Sequence, residues 1–389
     1  MTATTSTAEA RVARNAVGLV FALNGLCFAT WVSRIPEVRA ELGLTNGQLG
    51  LLLLCLAAGS VLSLPTTGAF INRFGTATVV RAGASSAALG LVLAGLGAGA
   101  GLVPLTALGL FAYGVGTGTW DVSMNVEGAA VEHALGRTIM PRFHAGFSLG
   151  TVVGAGLGVL LVGLEVPMLA QLGVVGVGAL LLVWVRAAAF LPALPVHEDR
   201  RPARSAWREP RTLMIGLMVL SLALTEGTAN DWLALALVDG YDVPTWVGVA
   251  GFAVFVTAMT GGRLAGPVLL DRFGRPVVLW GTMVAGGLGV VLLVFGGPAG
   301  AVVGIVLWGV GASLGFPVGM SAAADDPARA AARVSVVSSI GYTAFLAGPP
   351  LIGLLAQRAG ILSALFVVVG ALVLGLLASG ATRPLSPPG

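Results

Sequence analysis

From Pro276 to Ala324 the chain carries no ionisable Asp, Glu, Lys, Arg or His. That run suffices for two crossings of a bilayer, at about 20 residues each, with a turn at Gly296-Gly-Pro-Ala-Gly300. In lipid every backbone N–H and C=O must find its partner inside the segment, so the run predicts helices. The rest of the chain agrees. Hydrophobic residues make up 56% and charged residues 10%, against roughly 25% charged in an ordinary soluble domain, and the mean hydropathy is +0.94.

Apolar windows separated by charge, Pro or Gly clusters predict twelve spans, with cores at 15–33, 48–70, 80–100, 103–126, 143–164, 167–189, 212–236, 245–269, 276–296, 300–322, 334–356 and 360–381. All 21 basic residues are arginine. With a cytoplasmic N-terminus, Arg34, Arg39 and Arg358 fall outside and every other arginine, Arg263 among them, falls on the inner side. The positive-inside rule therefore predicts a multi-pass protein of the cell inner (plasma) membrane with both termini cytoplasmic. The polar stretch 191–211, rich in Pro and Arg, reads as a cytoplasmic linker. It divides the chain into a cytoplasmic tail at 1–14, a six-helix bundle at 15–190, a second at 212–381 and a cytoplasmic tail at 382–389.

The halves repeat one another. Gly68-Ala-Phe-Ile-Asn72-Arg73-Phe-Gly75 returns as Pro267-Val-Leu-Leu-Asp271-Arg272-Phe-Gly274-Arg275. Asn24-Gly25 followed by Trp31 matches Glu226-Gly227 followed by Trp232, and Gly114-Val-Gly116 matches Gly309-Val-Gly311. The expected fold is an all-α membrane protein of two pseudo-symmetric six-helix bundles.

These residues resemble the major facilitator superfamily, whose signature is a Gly-x-x-x-Asp-Arg-x-Gly-Arg-type loop between spans 2 and 3, echoed between spans 8 and 9. The first copy departs in having Asn72 for the acid and no basic residue after Gly75; the second has Pro267 for the first glycine. A narrower likeness rests on Trp31-x-Ser33-Arg34-Ile-Pro36, Asp121-Val-Ser-Met-Asn125, His144-x-x-Phe147-Ser148-Leu-Gly150 and Glu226-Gly227-x-x-x-Asp231-Trp232. It is similar to the branch near fucose permease, which implies a proton-coupled sugar transporter acting as a monomer. The resemblance also implies that Asn72, Arg73, Asp271 and Arg272 are gating residues, docking on acids such as Glu132, Asp325 or Asp326.

An ionisable group at a helix centre costs about 2.5–3.5 kcal/mol on insertion scales, so each asks for a reason. Glu226, 14 residues into span 7, is the first candidate for carrying protons. Asp121 with His144 is the second, since imidazole titrates near neutrality; the pair reads equally as a clamp between spans 4 and 5. Arg34 and Asp231 close the outer ends of spans 1 and 7 and are candidates for an outer gate, or for snorkelling to the interface. Asn24, Trp120, Asn125 and Tyr342 are candidates for substrate binding, because sugar sites combine hydroxyl partners with an aromatic plate. The Gly114-x-Gly116-x-Gly118 and Gly154-x-Gly156-x-Gly158 runs lie inside apolar spans and read as close helix packing. Gly348-Pro349-Pro350 is expected to bend span 11.

Several classes are excluded. A chain without lysine has no Walker A loop and is no ATP-driven pump by itself. Scattered charge argues against nucleic acid. Cys27 and Cys55 sit alone in apolar runs, so no metal site and no cofactor is indicated. No H-E-x-x-H or G-x-S-x-G motif points to an enzyme, and the short tails leave little for a sensor to signal with. The expected function is secondary active transport by alternating access, with protons driving uptake of a sugar or similar small polar solute. The alternative is proton-coupled export of a drug or hydrophobic metabolite; no proline in span 5 supports that reading.

Overall fold

The computed structural model describes residues 7–136, 139–191, 203–326 and 329–383, all of them helix, turn or short connection with no strand among them. The first half runs α1 (Thr7–Val32), α2 (Ile35–Glu41), α3 (Asn46–Phe74), α4 (Thr76–Gly99), α5 (Val103–Leu135), α6 (Met140–Gly163) and α7 (Met168–Arg186). The second runs α8 (Pro210–Tyr241), α9 (Thr245–Phe273), α10 (Arg275–Phe295), α11 (Gly297–Ala312), α12 (Gly315–Ala323), α13 (Ala330–Ala359), α14 (Ile361–Ala364) and α15 (Phe366–Ala378). Eleven helical stretches are long and apolar enough to cross a membrane. The twelfth long helix is α5, whose glycines, threonines and acids dilute its hydropathy.

The structure amends the expected boundaries in three places. The N-terminal segment is already helical from Thr7, because Ala and Arg are strong helix formers whether or not lipid surrounds them; residues 1–6 lie outside the described residues. Within the linker, Ala203–Arg208 forms a 3-10 turn, and 192–202 lie outside the described residues, as do 384–389 of the C-terminal tail. Span 10, expected to be continuous, breaks between α11 and α12 at Ser313 and Leu314. Pro317 is the reason: it has no N–H to give the Ser313 carbonyl one turn back. By contrast α13 runs on as one helix through Pro349 and Pro350.

The chain forms two compact units, one of residues 1–44 and 52–197, the other of 45–51 and 198–389. Each is built by close glycine packing, and the two copies of the Gly-Val-Gly element do the same work. A Cβ on Gly114 would come 2.0 Å from the Leu56 carbonyl oxygen on α3, and one on Gly116 would come 2.3 Å from Ala87 N on α4. Likewise a Cβ on Gly309 would come 2.5 Å from the Phe255 carbonyl oxygen on α9, and one on Gly311 2.4 Å from Gly286 Cα on α10. In both units, then, the first glycine admits one neighbouring helix and the second admits the other. Gly150 and Gly154 do this for α6 against α1, at Ala22 and Leu26. Such approach suits membrane bundles, where packing rather than hydrophobic burial holds helices together. Large apolar side chains turn outward instead, among them Val174 and Phe295, both 74% exposed.

The duplicated turns also share one backbone. Gly75 has φ 79° and ψ 158°, Gly274 φ 76° and ψ 162°. Each N–H caps the helix before it, on Ile71 O at 2.8 Å and Leu270 O at 2.9 Å. Positive φ favours glycine, which accounts for the one residue both copies of the motif keep at this point.

Candidate functional site

The second unit brings an acid and a base together within its helices. Glu226 on α8 accepts from one Nη of Arg263 on α9, at 3.0 and 3.1 Å to its two oxygens. The side chains are 20% and 24% exposed, so the pair is largely withdrawn from solvent. Arg263 Nε donates to the Ser313 carbonyl at 3.2 Å, the acceptor that Pro317 leaves without a backbone donor. Gly262 and Gly266 make this possible: a Cβ on the first would stand 2.5 Å from Ser313 Oγ, and on the second 2.5 Å from Leu314 Cδ2.

Arg263 lies inside the expected span, ten residues before the end of α9, about 15 Å along the axis, where Glu226 supplies its countercharge. The signal was an arginine inside an apolar span, which asks for a partner.

The same unit holds a cluster of rings. Tyr342 on α13 is half-buried, 6.5 Å from Phe316 on α12 and 6.3 Å from Phe345, centroid to centroid. Phe345 reaches the residue after Glu226, since a Cβ on Gly227 would come 3.3 Å from its ring. Tyr342 was legible as a candidate; Phe316 and Phe345 were not, because an aromatic residue in an apolar run carries no polar mark.

In the first unit Asp121 and Asn125 share a face of α5, as their spacing predicts. Asn125 Nδ2 donates to the Asp121 carbonyl at 2.8 Å and to its Oδ1 at 3.3 Å. Asn125 is thus the partner that the structure gives Asp121. His144, exposed on α6, stands edge-on to Phe21 at 5.2 Å. Asn24 is 5% exposed and its Nδ2 finds no acceptor among the described residues. Trp31, Trp120 and Trp232 are 1%, 1% and 0% exposed, so none presents a free ring face to a solute in this structure.

Arg34 is 1% exposed. It donates to Gln171 Oε1 at 2.7 Å and to the Val166 carbonyl at 2.8 Å, and pairs with Glu37. Gln171 in turn donates to Ser33 Oγ at 3.3 Å. Arg34 is therefore tied within its own unit, fastening the α1–α2 joint to the approach of α7. Asp231, half-buried on α8, has no ion-pair or hydrogen-bond partner among the described residues.

The duplicated turns are exposed at Asn72, Arg73, Asp271 and Arg272. Arg73 lies over the Phe74 ring at 5.4 Å and Arg272 over the Phe273 ring at 5.2 Å. Of the acids named as receivers, Asp325 takes an arginine of the second turn, Arg275, while Arg73 and Arg272 themselves have no ion pair among the described residues. Glu132 accepts from the backbone N–H groups of Ile139 and Met140 at 2.6 and 2.7 Å, opening α6. Asp325 pairs with Arg211 at 2.8 Å and Arg275 at 2.7 Å, and Asp326 lies 3.6 Å from Arg333. The acid that serves the first turn is Glu127, 2% exposed, which accepts from Thr76 Oγ1 at 2.5 Å and Leu191 N at 2.6 Å. Outside the spans, Glu209 precedes α8 and pairs with Arg329 at 3.0 Å and Arg333 at 2.6 Å. Burial raises its pKa, but hydrogen bonds from Arg333, Thr212 and Arg329 and the charge of Arg333 outweigh that and lower it.

Comparison with known proteins agrees with this architecture. The family model of the Major Facilitator Superfamily matches residues 17–341. An uncharacterized MFS-type transporter of Yersinia pestis is 34% identical over 374 residues, covering 94% of this chain and 93% of that one. Among solved structures, the D323A mutant of the nucleoside transporter NupG has a TM-score of 0.80 at 14% identity, over 95% of this chain and all of that one. The major facilitator transporter FucP, in an outward conformation, has a TM-score of 0.68 at 15% identity, over 97% of this chain and all of that one. At such identities the two structures speak for the fold alone, whereas the family match and the Yersinia relative speak for descent: the chain is a transporter of the major facilitator superfamily, with that superfamily's twelve-helix fold, and not an enzyme.

Proposed function

We propose that this secondary transporter couples proton movement to uptake of a sugar or similar small polar solute, with Glu226 as the proton-carrying group. The observation that carries the reading is the Glu226–Arg263 pair within a unit whose ring cluster, Phe316, Tyr342 and Phe345, reaches the neighbouring residue Gly227. A proton on Glu226 removes its charge and weakens its hold on Arg263, so the pair has two states that a transport cycle can use. The rings offer an apolar plate, and the carboxylate and guanidinium offer hydroxyl partners, the combination by which polyhydroxylated rings are held. Asp121 with Asn125 supplies a second acid and amide, in the first unit. Asn24 and Tyr342 add hydrogen-bonding groups, and His144 a further titratable one.

The distribution of arginine supports placing both termini in the cytoplasm of a cell whose inner membrane holds the protein as a functional monomer. Asn72, Arg73, Asp271 and Arg272 then lie on the cytoplasmic side and gate it, while Arg34 and Asp231 serve the outer side.

The test is proton flux in proteoliposomes, with a pH dye outside, on adding monosaccharides, polyols, nucleosides or cationic drugs. Alkalinisation outside on adding one of the polar solutes is expected. Silence to all of them, with proton release driven by a drug, would replace uptake by export. Glu226→Gln should then abolish uphill accumulation while sparing solute exchange; full accumulation by that variant moves the proton to Asp121.

A further inference from the structure

Among charged side chains Arg263 is unusual in joining a carboxylate to a helix break. Its Nη meets both oxygens of Glu226, and its Nε meets the Ser313 carbonyl between α11 and α12. That carbonyl has no backbone donor one turn on, because residue 317 is proline. A buried carbonyl left without a donor costs about 1–3 kcal/mol, so the position of α12 relative to α11 depends on where the guanidinium lies. Three residues after Ser313 comes Phe316, a member of the ring cluster. Pro267, one turn after Arg263, takes the donor from the Arg263 carbonyl as well, leaving α9 itself less constrained there.

We propose that Arg263 is a positioning residue that transmits the charge state of Glu226 to the α11–α12 break, and through it to Phe316 and the rings that meet the solute. The proposal rests on the transport reading above and adds the path by which a proton on Glu226 is felt at the solute. With Glu226 charged, Arg263 is held between carboxylate and carbonyl. With Glu226 neutral, the guanidinium loses its countercharge, turns from the break, and α12 shifts with it.

The charges on the neighbouring elements, among the described residues, lie toward the helix ends. The elements packed on α8 bring Asp271 and Arg272 at the far end of α9 and Arg333 and Arg358 near the two ends of α13, with no charged residue on α11, α12, α14 or α15. The 3-10 turn before α8 brings Arg208, near that helix's first residue. On α8 itself the nearest ionisable group is Asp231, five residues on. Arg263 alone among the described residues is recorded in an ion pair with Glu226.

A double-mutant cycle on the whole protein in nanodiscs tests this without a solute. Phe316 is replaced by 4-trifluoromethylphenylalanine and its fluorine resonance is read, with the same label at Phe295 as a distant control. Glu226→Gln, which mimics the protonated acid, should displace the resonance at 316 and leave that at 295. In an Arg263→Lys background, or Arg263→Gln where Lys fails to fold, the same substitution should no longer displace it. Lysine keeps a charge for Glu226 but lacks the planar fork that reaches two acceptors at once. An unmoved resonance in Glu226→Gln, an equal displacement with and without Arg263, or movement at both labels would each overturn the proposal. The cycle is independent of flux, so its failure leaves proton transport through Glu226 standing. Conversely, uphill accumulation by Glu226→Gln would move the proton from Glu226 to Asp121 and leave the cycle untouched.

Discussion

Replacing glycine by alanine should move stability in opposite directions at different sites of this one protein. On Gly116 the new methyl would sit 2.3 Å from Ala87 N and 2.7 Å from Ala87 Cα; on Gly311 it would sit 2.4 Å from Gly286 Cα. Ordinary contact begins at 3.4 Å, so the paired helices must separate by about 1 Å. Overpacking of that kind costs about 1–3 kcal/mol. Alanine recovers about 0.5–1 kcal/mol through backbone entropy, leaving a net loss of up to about 2.5 kcal/mol. Gly156 and Gly178 have nothing within 4 Å of the same position. There only the gain remains. For units of this size each kcal/mol is worth about 2–4 °C, so the midpoint should fall by up to about 10 °C in Gly116→Ala and Gly311→Ala and rise by about 1–4 °C in Gly156→Ala and Gly178→Ala. The assay is the monodisperse gel-filtration peak remaining after heating in detergent. Equal losses at Gly156 and Gly116 would refute the claim that the Gly-Val-Gly elements act by close approach, and would leave glycine's role as one of general flexibility.

Two further outcomes follow from the charged groups at the helix ends. Glu209 has a lowered folded pKa, so it stabilises the second unit above the ordinary glutamate value of 4.5 and that contribution is lost as pH falls through the lower folded value; thermal midpoints should drop on acidification in that window, and Glu209→Gln should flatten the dependence. Glu127→Gln leaves an amide oxygen for the Leu191 N–H and an amide nitrogen toward Thr76, whose hydroxyl must turn to accept; a loss of about 0.5–2 kcal/mol is expected as charge-assisted bonds become neutral ones, visible as a lowered midpoint, and an unchanged midpoint would show that Glu127 does not secure the start of α4.

Much of this architecture is legible in the chain because membrane helices declare themselves one at a time. Lipid demands a long apolar run for each crossing, and a duplicated turn such as Asn72-Arg73-Phe-Gly75 and Asp271-Arg272-Phe-Gly274 marks the repeat without any knowledge of contacts. Glu226, Asp121 and Asn125 were legible for the same reason, since a polar group within an apolar run stands out.

Which partner each of them takes is a different matter. That Glu226 holds Arg263, that Arg34 turns to Gln171, and that Glu127 rather than Glu132 secures the first duplicated turn all depend on residues far apart in the chain. Composition and spacing along one helix carry no record of the helix that packs beside it. The break at Ser313 shows both halves of the lesson. Pro317 determines by its own chemistry that a carbonyl loses its donor, but only the packing of α9, admitted by Gly262 and Gly266, decides that the replacement is the guanidinium of Arg263.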